Sequence, residues 1–68
     1  MDKGAELLAQ VRQEIEQAMK HVAFWSEQAQ LQAGTEFEEI TSSTAADAKM
    51  MLEHLEQAEE ALLNAQGS

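Results

Sequence analysis

From Gly4 to Ala33, the apolar residues Leu8, Val11, Ile15, Ala18, Val22, Trp25 and Ala29 recur at alternating intervals of three and four. That spacing returns side chains to one face of an α-helix every seven residues and predicts a seam for packing against another helix. The chain has no proline, and Ala, Gln, Glu, Leu and Met, all strong helix formers, dominate it. Gly34-Thr35 ends the pattern. Glycine takes positive φ without steric cost and is favoured just past a helix end. Thr35 with Glu38 three residues on reads as a capping box that opens a second helix. A second seam follows in Phe37, Thr44, Ala48, Met51, Leu55, Ala58, Leu62 and Ala65, with Thr41 the one position lacking an apolar group.

The expectation is an all-α protein, an antiparallel helical hairpin in one domain over residues 1–68. Helix 1 covers about 4–33, the turn 34–35 and helix 2 about 36–65. The run Thr41-Ser42-Ser43-Thr44 consists of poor helix formers, so a break or bend at 41–44 is the alternative. A tight turn makes residues whose numbers add to 69 or 70 face each other, pairing Leu8 with Leu62, Ile15 with Leu55 and Ala18 with Met51. A loop running to residue 43 shifts the pairing by one heptad and is also apolar throughout. The tight turn is favoured.

Composition changes this picture by making association necessary. The chain has 68 residues and no cysteine, and 12 of its apolar residues are alanines, which bury little area. A domain of this size hides only about 60% of the surface its unfolded chain exposes. Without disulfides, oligomerisation is the common remedy. Apolar side chains off the seam (Leu7, Met19, Phe24, Leu31, Met50, Leu52 and Leu63) fit a homodimeric four-helix bundle. The net charge of −9 argues against binding nucleic acid through its phosphates and against docking on anionic lipid. No stretch approaches the roughly 20 apolar residues of a membrane span. With no apolar signal core near the start, a cytoplasmic location is expected.

The candidate sites are surfaces. Phe24, Leu31, Phe37 and Ile40 form an apolar group near the expected hairpin tip, and Glu53, Glu56 and Glu60 share a face of helix 2. Residues 34–68 hold eight acids and one base, so −7 of the −9 lies there. His21 and His54 are the candidates for a metal site. The Glu-x-x-His pairs of a di-metal bundle are absent, because Ala18 and Met51 stand where the glutamates belong. No metal and no other cofactor is assigned. The chain has no nucleophile elbow and no glycine-rich phosphate loop, and no catalytic residue is assigned. Ser43-Thr44-Ala45-Ala46-Asp47 resembles the Ser-Gln-x-x-Asp signature of small bacterial aspartyl-phosphate phosphatases in its Ser-to-Asp spacing, but lacks the Gln and the aliphatic residue before the Asp. The expected function is therefore non-enzymatic: a small interaction, regulatory or adaptor protein that binds a second copy of itself and another protein through a helical surface. The alternatives are an acidic inhibitor, or nucleic-acid mimic, blocking a basic groove of its target, and a metal-binding helical bundle.

Overall fold

A computed structural model describes residues 2–67, in which helix α1 (Lys3–Leu31) and helix α2 (Glu38–Gly67) pack against each other as a hairpin. Asp2 caps α1: its Oδ1 accepts the Gly4 N–H at 3.0 Å and its carbonyl accepts the Glu6 N–H. Residues 32–37 lie outside both helices, so the connection is longer than a two-residue turn. Its geometry explains the extra length. The Thr35 N–H donates to the Gln32 carbonyl at 3.0 Å and closes a turn whose third residue, Gly34, sits at φ 83°. Positive φ at that place is what such a turn demands and what glycine supplies.

The capping box expected at Thr35 forms differently. The Thr35 hydroxyl donates back to the Gln32 carbonyl and accepts the Phe37 N–H at 3.2 Å, while the Thr35 carbonyl accepts the Glu38 N–H. Threonine thus links the end of α1 to the start of α2. The Thr/Ser run does not break α2, which is continuous through 41–44. Thr41 donates its hydroxyl to the carbonyls of Phe37 and Glu38, and Thr44 donates to Ile40, so both polar groups are satisfied by their own helix.

The register is that of the short connection. Gly4 lies against Gln66, Arg12 against Glu59, and Ala18 shares a groove with Met51, so facing numbers add to 69–71. All seven seam residues of α1 are buried or half-buried. On α2 the seam is rotated from the expected one. Thr41, Thr44, Ala45, Ala48, Leu52, Leu55, Ala58, Glu59 and Leu62 turn inward, whereas Phe37, Met51 and Ala65 are exposed. The polar Thr41, at 7% exposure, is among the most buried residues, with Leu8 at 8% and Ala45 at 6%. The register sets Trp25 level with Ala45, so a large side chain faces a small one there. The Thr41 hydroxyl carries no unmet bond inward.

The open space around Gly34 leaves only a backbone penalty for a side chain, so Gly34→Ala should cost on the order of 1 kcal/mol. Read as a circular-dichroism melt at fixed protein concentration, that is a fall of ~4–8 °C; an unchanged midpoint contradicts the left-handed turn. Thr41→Val should leave stability within about 0.5 kcal/mol, because the hydroxyl only returns to carbonyls that already have backbone partners. A large loss in urea titration contradicts that account.

Candidate functional site

Continuous helices held in one register give the hairpin two distinct sides. On one, a groove of about 220 Å³ opens between the helices, with Ala18 and Ala48 among its lining and Glu14, His21, Met51 and Leu55 around them. Two further depressions share residues with it, one at His21, Phe24 and Trp25 and one at Asp47, Met50, Met51 and His54. On the other side, Arg12 Nε donates to Glu59 Oε2 at 3.0 Å across the helices. Both partners keep solvent contact, so this pair contributes at most about 1 kcal/mol.

Stepping by heptads from these markers sorts the remaining residues. The groove side carries the carboxylates Glu14 and Asp47. The opposite side carries Glu16, Glu38, Glu53, Glu56, Glu59 and Glu60 together with Arg12 and Lys49, while Glu6 and Glu27 lie with Lys20 on the outer face of α1 and Glu36 and Glu39 lie beside Ile40 near the tip. Exposed apolar side chains divide the other way. Leu7, Phe24, Leu31, Ile40, Met50 and Met51 belong to the groove side and Phe37 to the tip, leaving Met19 and Leu63 opposite. The acidity concentrated in the second half of the sequence is therefore also concentrated on one side of the fold.

The structure places the expected surface residues in two groups that do not meet. Phe24, Leu31, Phe37 and Ile40 are all at least half exposed. They do not line one concavity: Phe24 lies with His21 and Trp25, and Ile40 with Glu36, Glu39 and Ser43. Phe24 packs edge-on against Trp25, with ring centroids 5.1 Å apart and planes at 88°. Glu53, Glu56 and Glu60 are exposed on the side away from the groove, so a single flat contact cannot use both groups. His21 borders the groove with Glu14, while His54 lies in a separate depression beside Asp47. Among the described residues no group of three or more His, Cys, Asp or Glu side chains is placed to hold a metal ion.

The groove itself was missed by the sequence reading, because Met51 was assigned to the seam. The carboxylates held the signal. Glu38, Glu53, Glu56, Glu59 and Glu60 mark one flank of α2 by their heptad phase, and Met51 lies opposite that flank. Among the described residues no helix is long and apolar enough to cross a membrane. Comparison with family models, with curated proteins and with solved structures gave no match.

Proposed function

We propose that the chain is a small non-enzymatic interaction or adaptor protein that works by association, first with a second copy to form a four-helix bundle. The observation that carries this reading is the exposed apolar surface. Nine large apolar side chains are 43–64% exposed. The accessible surface is 5254 Å², against about 4,200 Å² for a compact monomer of this mass. The Cα radius of gyration is 15.5 Å, against about 11 Å for a compact chain of this length. A hairpin 51 Å long buries one seam and leaves apolar surface that another helical surface would cover. The dimer would present its carboxylate-rich sides outward, and a further protein would meet the bundle there or at the tip.

A second reading is favoured by the segregation of six carboxylates onto one side: that side docks on a basic groove of a target protein. Binding by this route weakens steeply with salt, whereas apolar association does not.

Sedimentation equilibrium with melts over a hundredfold concentration range tests association. The expected result is twice the 7.5 kDa chain mass and a melting point that rises with concentration. A single-chain mass with a constant melting point contradicts it.

A further inference from the structure

We infer that the groove side, centred on Met51 and the Ala18–Ala48 floor, is the surface on which the second copy docks, an assignment that rests on the homodimer reading above. Three observations carry this assignment, charge and shape for the side and area for the occupant. The first is charge. Two chains of −9 repel, and a contact through the carboxylate side sets six carboxylates of each copy, offset only by Arg12 and Lys49, against the same set of the other. A contact through the groove side brings only Glu14 and Asp47 from each copy, accompanied by His21 and His54. For two identical acidic chains, this side has the least electrostatic cost.

The second observation is area. The hairpin plane measures 51 by 16 Å, a footprint close to the ~800 Å² that each partner contributes to a standard interface. The surplus of exposed surface over a compact chain, about 1,000 Å², has the same size. The third is shape. The groove lies near mid-length, where two small residues leave a hollow between the helices and Met51 stands 60% exposed at its rim. A twofold contact must be self-complementary. A hollow and an adaptable methionine on one patch meet that condition, since each copy offers the knob and the hole.

The test uses two methionines that are equally exposed in the isolated hairpin, Met51 at 60% and Met19 at 57%, on opposite sides. Met51→Glu should raise the dimer dissociation constant on the order of 100-fold, because it buries a carboxylate in an apolar contact. Met19→Glu should leave the constant within about threefold, the same substitution having been made on a solvated side. Circular dichroism checks that both variants keep the helical content of the parent. In the unsubstituted protein, Cε-labelled methionine spectra recorded across the dissociation range should shift at Met50 and Met51 and stay constant at Met19. A dimer that survives Met51→Glu, or that only Met19→Glu dissociates, overturns the assignment of the side while leaving the homodimer standing. An unsubstituted chain that is monomeric at every concentration overturns the homodimer and the assignment with it.

Discussion

Two helices joined by a short connection share one line of contact, and that line has two open flanks. Every feature of this chain depends on how those flanks are closed. The connection at residues 32–37, tied by Thr35 and bent at Gly34, sets the register and leaves rotation about the helix axes as the remaining freedom. Rotation of α2 then draws Thr41, Ala45 and Leu52 inward and turns Met51 outward. One flank gains the bulk of Leu52 and the Arg12–Glu59 bridge. The other is left with a hollow floored by alanines.

Charge follows the same division. A carboxylate costs little on a face that stays in water and much on a face that is covered. Six of the carboxylates lie on the flank that the hairpin closes for itself, two on the flank it leaves open, and most of the large exposed apolar side chains accompany those two. The outward placement of the α2 carboxylates and the exposure of Met50, Met51 and Ile40 are two consequences of one rotational setting.

Much of the fold was legible in the sequence because its causes are local. The interval of three and four from Leu8 to Ala29 gave α1 its face, the lack of proline gave two long helices, and Gly34 marked the turn. The alternative of a break at 41–44, which rests on propensity, does not form. Side-chain hydroxyls that compete with the backbone in a free peptide instead bond to carbonyls within α2. The phase of α2 was not legible from its apolar residues, because Met51 and Leu52 are adjacent and either can enter a seam. The structure turns Leu52 inward and leaves Met51 exposed. Phe24, Leu31, Phe37 and Ile40 were recognisable as exposed candidates. Their separation from Glu53, Glu56 and Glu60 onto different sides required the helices to be set against each other.

Docking of a second copy along the open flank, as proposed above, can be read by small-angle X-ray scattering, because forward intensity reports mass and the distance distribution reports how copies are arranged. Side-by-side docking predicts the forward intensity of two chains with a longest dimension near that of one hairpin, whose Cα extent is 51 Å. The forward intensity of a single chain, or a doubled mass with a longest dimension approaching two hairpin lengths, would contradict it.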